Sequence, residues 1–202
     1  MHRREVLKLL ALNSAYSAMP AELLATFREA HASLGATPQL KLLNLHQNAT
    51  VTALAELIIP QTETPGAKAA RVNEFIDLIL AEWSTEEERK VFLSGLAEMD
   101  ARARSLFGKE FVDTAPSQQS EIARALGEEM AQAAAALAAS PVGNRGSVPK
   151  PEGNFYYLFR QLTLTGYFTS EIGATQQLHF EMFPGRFDGC TPLAPPAPAK
   201  GS

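Results

Sequence analysis

Cysteine occurs once in this chain of 202 residues, at Cys190, so no internal disulfide can form and a four-thiolate metal centre is excluded. The four histidines, His2, His31, His46 and His179, lack the close pairing that would put two imidazoles on one helix face. A metal centre built by this chain alone is therefore not expected. No Gly-x-Gly-x-x-Gly follows a strand-like run, which removes the dinucleotide loop, and no Gly-x-Ser-x-Gly elbow surrounds a serine. The least unsuitable nucleophile, base and orienter set, Ser170, His179 and Asp188, has no local motif behind it, so an autonomous hydrolase is a remote reading. No run reaches the roughly 18 to 20 apolar residues that a membrane-crossing helix needs. Basic residues number 18 against 22 acidic ones, for a net charge of -4, and they are scattered. Without a basic stripe to displace counterions from phosphates, nucleic acid is not an expected partner.

Apolar residues make up 46% of the chain and charged residues 20%, a balance that supports an ordinary globular core. No segment alternates apolar and polar residues far enough to argue for a sheet; alanine-rich stretches with helical periodicity dominate instead. Asn48 or Thr50 is placed to cap a helix carrying Val51, Leu54, Ala55, Ile58 and Ile59, which Pro60 ends. After the turn-rich connector 60–66, a second helix gathers Val72, Phe75, Ile76, Ile79, Leu80 and Trp83 on one face. Ser84 or Thr85 with Glu87 or Glu88 makes a capping box for a third, with Phe92, Leu96, Met99, Ala103 and Leu106 inward and a stop near Gly108. Around Thr114 to Ser117 another start opens a long helix through Ile122, Leu126, Met130 and Leu137. Its Ala131 to Ala139 stretch is slim enough for a neighbouring helix to approach closely. Residues 140–153 read as a loop, and structure resumes with Phe155, Tyr156, Leu158, Phe159, Leu162 and Leu164. The expected fold is all-α: an irregular bundle of about five or six helices with Pro/Gly-rich loops and a mobile C-terminal tail.

The N-terminus opens with Arg3 and Arg4, continues through Leu7 and Lys8 into a short apolar stretch, and meets small residues before Pro20. That order is a secretory pattern, and the adjacent arginines followed by x-x-Leu-Lys resemble the twin-arginine export signal, with Val6 in the phenylalanine position. The same residues also fit the basic, amphipathic first turn of a structural helix. On the export reading, 1–19 is a signal segment, 20–44 a linker or helix, 45–190 the folded domain and 191–202 a flexible tail.

Two stretches depart from generic helix material. One runs Ile58-Ile59-Pro60-Gln61-Thr62-Glu63-Thr64-Pro65-Gly66-Ala67 and on to Val72-Asn73-Glu74-Phe75-Ile76-Asp77. The other is Gly166-Tyr167-Phe168-Thr169-Ser170-Glu171-Ile172-Gly173-Ala174, followed by Pro184-Gly185 and Gly189-Cys190. Together, in this order and behind a twin-arginine start, they resemble the gluconate 2-dehydrogenase subunit 3 family. The resemblance implies a non-catalytic small subunit, without a cofactor of its own, paired with a large FAD-binding subunit of the glucose-methanol-choline oxidoreductase type. It further implies electron transfer from that flavin to a cytochrome c subunit or another acceptor, substrates among sugars, sugar acids and polyols, and a periplasmic location. A stand-alone periplasmic helical binding protein or chaperone is the alternative.

The residues that carry the resemblance also have a physical reading. Pro60 and Pro65-Gly66 should fix a rigid turn, because proline sets its own φ and glycine permits positive φ. Such a turn serves equally as a contact surface or as internal fold geometry. Tyr167 and Phe168 are amphipathic aromatics suited to an interface or to this chain's own core, and Ser170-Glu171 can cap a short helix. Partner contact is expected through Pro60, Pro65, Gly66, Gly166, Tyr167, Phe168, Ser170, Glu171, Pro184 and Gly185. Cys190, in a Gly/Asp-rich turn, is the candidate for an intersubunit disulfide.

Overall fold

A computed structural model describes residues 40–139 and 153–180, together with Glu29. Among these residues the chain forms five α-helices and no strand. They are α1 (Leu45–Ile58), α2 (Val72–Glu82), α3 (Glu86–Phe107), α4 (Pro116–Ala139) and α5 (Phe155–Thr169). A 3-10 turn, Phe111–Asp113, precedes α4, and a π turn, Gly173–Gln177, follows α5.

The helix ends follow local chemistry. α1 starts at Leu45, earlier than the expected cap at Asn48 or Thr50, because Asn44 and Gln47 form a reciprocal capping box. The Asn44 Oδ1 accepts the Gln47 N–H at 2.8 Å, and Gln47 Oε1 accepts the Asn44 N–H at 3.0 Å. Asn48, inside the helix, instead accepts a side-chain hydrogen bond from Asn73 of α2. Thr85 and Glu88 make the expected capping box for α3, whose first turn also carries Glu86 and Glu87 against the positive end of the helix dipole. α3 ends at Gly108, which takes φ 70°, a left-handed conformation that glycine adopts without a Cβ penalty. Pro116 occupies the first position of α4, where its missing N–H costs nothing, and Gln118 accepts from the Ala115 N–H. Asn154 caps α5 by accepting the Tyr157 N–H at 3.0 Å.

α5 packs on all four other helices and so sits at the centre of the bundle; α2 packs on α1 and α5. Its Val72, Phe75, Ile76, Leu78, Ile79 and Leu80 are all buried. Burying each such side chain contributes about 1.5–3 kcal/mol, so α2 is the main source of core stability. Two glycines let α5 approach its neighbours: a Cβ on Gly166 would meet the Phe75 ring at 2.7 Å, and one on Gly95 would meet the Phe155 ring at 2.0 Å. Beside Gly95, the rings of Phe92, Phe155 and Phe159 form a cluster with centroids 5.6 to 5.8 Å apart.

Two residues expected inward point outward. Trp83 is 51% exposed, because α2 ends at Glu82 and Trp83 is the cap residue with φ -120°, out of phase with the buried face. Leu106 is 58% exposed; the last inward position of α3 is taken by Phe107, four residues after buried Ala103. The slim end of α4 also differs from expectation. Ile122 and Ala123 are buried, but Ala131, Gln132, Ala135, Ala136 and Leu137 are exposed, so no described helix covers that stretch.

Candidate functional site

The turn between α1 and α2 is held by a carboxylate four residues before it. Glu56, on the last turns of α1, accepts the Gln61 N–H on Oε1 and the Lys68 N–H on Oε2, both at 2.8 Å. The Ala67 N–H closes the loop by donating to the Ile59 carbonyl at 2.9 Å. Gly66 is buried where this loop is tightest: a Cβ there would lie 2.3 Å from Glu56 Oε1 and 2.6 Å from the Gln61 nitrogen. Gly66 does not take the positive φ expected of it; glycine is required instead by this close approach, since a methyl group would displace the carboxylate that organises the turn.

The end of α5 reaches the same turn. Tyr167 is 1% exposed, and its hydroxyl donates to the Pro65 carbonyl at 2.7 Å. Thr64 Oγ1 donates to Gln177 Oε1 of the π turn at 2.8 Å. The two distinctive sequence segments are thus stitched together into one surface region. Phe168 packs edge-on to Tyr167, with centroids 5.3 Å apart, and is partly buried against the core. Removing only the hydroxyl, Tyr167→Phe, leaves the Pro65 carbonyl without its donor. Urea denaturation should report a loss of about 1–2 kcal/mol.

Ser170 terminates α5 and starts the π turn. Its hydroxyl donates to the Tyr167 carbonyl at 2.6 Å and accepts the Gly173 N–H at 3.0 Å. At 6% exposure with both functions committed to backbone, this hydroxyl is a cap. His179, an exposed residue at φ 49°, makes no contact with it among the described hydrogen bonds, and Asp188 lies outside the described residues.

The expected contact residues therefore separate by depth. Gly66, Gly166, Tyr167 and Ser170 are buried and shape the region from beneath; Pro65 and Phe168 are partly covered; Pro60 and Glu171 are exposed. Leu178 and Phe180, 56% and 55% exposed, add apolar surface at the same end, which the sequence reading did not single out. Arg3, Arg4, Leu7, Lys8, Pro184, Gly185 and Cys190 lie outside the described residues.

Two further polar groups escaped the sequence reading. Asp77, 2% exposed on α2, accepts the backbone N–H groups of Lys41, Leu42 and Leu43 and so pins the segment entering α1. An aspartate inside an otherwise apolar helix face was the available signal. Asp100, 7% exposed on α3, contacts His46 and the Phe111 N–H. Elsewhere, a half-open cleft of about 240 Å³ lies between α3, α4 and the start of α5, spanned by an Arg102–Glu129 ion pair at 2.8 Å. Burial raises the Tyr156 phenol above its ordinary pKa there, with Arg160 partly offsetting the effect. Among the described residues no group of three or more His, Cys, Asp or Glu side chains is arranged to hold a metal ion. No described helix is long and apolar enough to cross a membrane.

The family model described as gluconate 2-dehydrogenase subunit 3 matches residues 45–185, a span that contains all five helices, the first of the two segments and the second as far as Gly185. No curated protein and no solved structure matches the chain.

Proposed function

The chain belongs to the gluconate 2-dehydrogenase subunit 3 family, and on that premise we propose that it is the non-catalytic small subunit of a periplasmic FAD-dependent dehydrogenase acting on sugars, sugar acids or polyols. Its role is to assist export, folding or stability of a large flavoprotein subunit of the glucose-methanol-choline type, which carries the FAD and passes electrons to a cytochrome c or another acceptor. Arg3, Arg4, Leu7 and Lys8 form the twin-arginine address that takes the folded pair across the membrane together. Cys190 forms a disulfide between the two subunits.

The observation that supports this reading is the construction of the surface where the two family segments meet. Glu56, Tyr167 and Ser170 commit their polar groups to internal hydrogen bonds, which keep the backbone of the turn and of the α5 terminus in place. Exposed on that rigid base are Pro60, Glu171, Leu178 and Phe180. Preorganised loops with apolar side chains are efficient contact surfaces, because little ordering entropy is lost on association.

Co-expression with the large subunit tests the proposal. A stable, yellow, roughly stoichiometric complex is expected. The double substitution Leu178→Asp with Phe180→Asp should weaken it at least about tenfold while leaving the fold intact, since both side chains are exposed. Recovery of the chain only as a monomer from cells that make the flavoprotein would favour the stand-alone binding protein or chaperone.

A further inference from the structure

Away from the stitched surface, one histidine meets two acids. His46 lies in the first turn of α1, with Nε2 2.7 Å from Asp100 Oδ2 of α3 and Nδ1 3.3 Å from Glu110 Oε2 in the segment after α3. Asp100 is more than nine-tenths buried, and its other oxygen accepts the Phe111 N–H at 3.1 Å. Glu110 also accepts from Arg104 at 3.1 Å. A neutral imidazole carries one N–H and one bare nitrogen, so it can donate to only one of the two carboxylates, and its bare nitrogen would face the lone pairs of the other. The imidazolium carries a proton on both nitrogens and can satisfy both at once.

We propose that His46, Asp100 and Glu110 form a proton-operated latch, closed when the ring carries both protons, which fastens the start of α1 to α3 and to the 3-10 turn beyond it. The charged groups facing the ring are Asp100 from α3 and Glu110 and Asp113 from the following segment, with Arg104 acting through Glu110. α1 also packs on α2, α4 and α5, and none of these contributes a described charge acting on the ring. The hydrogen bond to Asp100 is the largest influence holding the His46 pKa above 6.5; burial opposes it, and the charges of Asp100, Glu110 and Asp113 add to it.

The sign of the pH dependence follows. A group whose folded pKa is raised contributes stability that is complete below its unfolded value of about 6.5 and is lost as the pH rises through the folded value. The latch is therefore closed in mildly acidic surroundings and opens on the alkaline side.

NMR titration of the full chain from about pH 5 to 9 reads this directly. The His46 ring resonance should show a midpoint above about 6.5, and the Phe111 amide should shift with the same midpoint, because both groups share Asp100. Asp100→Asn should lower the ring midpoint more than Glu110→Gln does. His46→Gln should remove the Phe111 transition and flatten the fall of thermal stability on that limb. A ring midpoint at or below 6.5 in the native chain overturns the proposal, as does a Phe111 amide that does not titrate with the ring. Glu110 is 43% exposed at its side chain, so Glu110→Gln still tests the latch if the Asp100 variant does not fold. An unchanged ring midpoint in Glu110→Gln also overturns the proposal, since a ring that answers to Asp100 alone needs only one proton.

Discussion

Replacing Gly173 by alanine should destabilise the protein by about 3 kcal/mol, one of the two largest effects expected of a single substitution here. A Cβ at this position would lie 2.0 Å from the Tyr167 carbonyl oxygen and 2.8 Å from its carbon, and both are backbone atoms that no rotamer change can move away. The Tyr167 carbonyl is also the acceptor for the Ser170 hydroxyl, and Ser170 in turn accepts the Gly173 N–H. Relief of the clash therefore pulls apart the cap and the π turn together, and with them the Thr64–Gln177 link to the neighbouring turn. Thermal unfolding should show a drop of roughly 6–12 °C, at about 2–4 °C per kcal/mol for a chain of this size. Gly127→Ala provides the contrast. It sits within α4, its Cβ would make an ordinary 3.6 Å contact with the Tyr156 ring, and the gain in helix propensity should raise stability by about 0.5–1 kcal/mol. If both variants behaved alike, the close approach at Gly173 would not be what holds this end of the molecule.

Asp77→Ala should cost a similar amount, about 3 kcal/mol, through a different mechanism. The Asp77 carboxylate accepts the Lys41 N–H at 2.6 Å on one oxygen, and the Leu42 and Leu43 N–H groups at 3.1 and 2.7 Å on the other. Hydrogen bonds to a charged acceptor contribute about 1.5–3 kcal/mol each, but the segment can partly hydrate once released, so the three do not add in full. Leu43 is itself 4% exposed and belongs to the core, which makes its N–H the costliest to orphan. Asp77→Asn should fall between wild type and alanine, because one oxygen remains for Leu42 and Leu43 while an amide NH2 opposes Lys41. Urea titration measures the total, and hydrogen exchange at residues 41–43 should accelerate selectively. Unchanged exchange there would show that something other than Asp77 secures the entry to α1.

Much of the helical framework was legible because it rests on contacts three or four residues apart. Thr85 with Glu88, Gly108, Pro60 and Pro116 announce helix ends through caps, a left-handed glycine and proline geometry, and the structure uses each of them that way. The Asn44–Gln47 box carries the same kind of signal, but Asn48 is an equally suitable capping side chain nearby, and only its bond to Asn73 shows that it does not cap α1. The two family segments were also visible as text. Their residue types alone left open whether Tyr167 or Gly66 lies on the surface or beneath it.

An all-α chain resembling this family, with its helix boundaries mostly in place, follows from local patterns, because periodicity, capping and turn chemistry act within one or two helical turns. Tertiary structure decided which residues meet. The Tyr167–Pro65 bond joins positions 102 apart, Thr64–Gln177 joins positions 113 apart, and His46–Asp100 joins positions 54 apart. It also turned Trp83 and Leu106 outward and committed Ser170 to a cap. Such pairings depend on how helices cross and how closely they approach, which is set by side-chain volume at a few contact points such as Gly166 on Phe75. Local sequence patterns carry no record of that geometry.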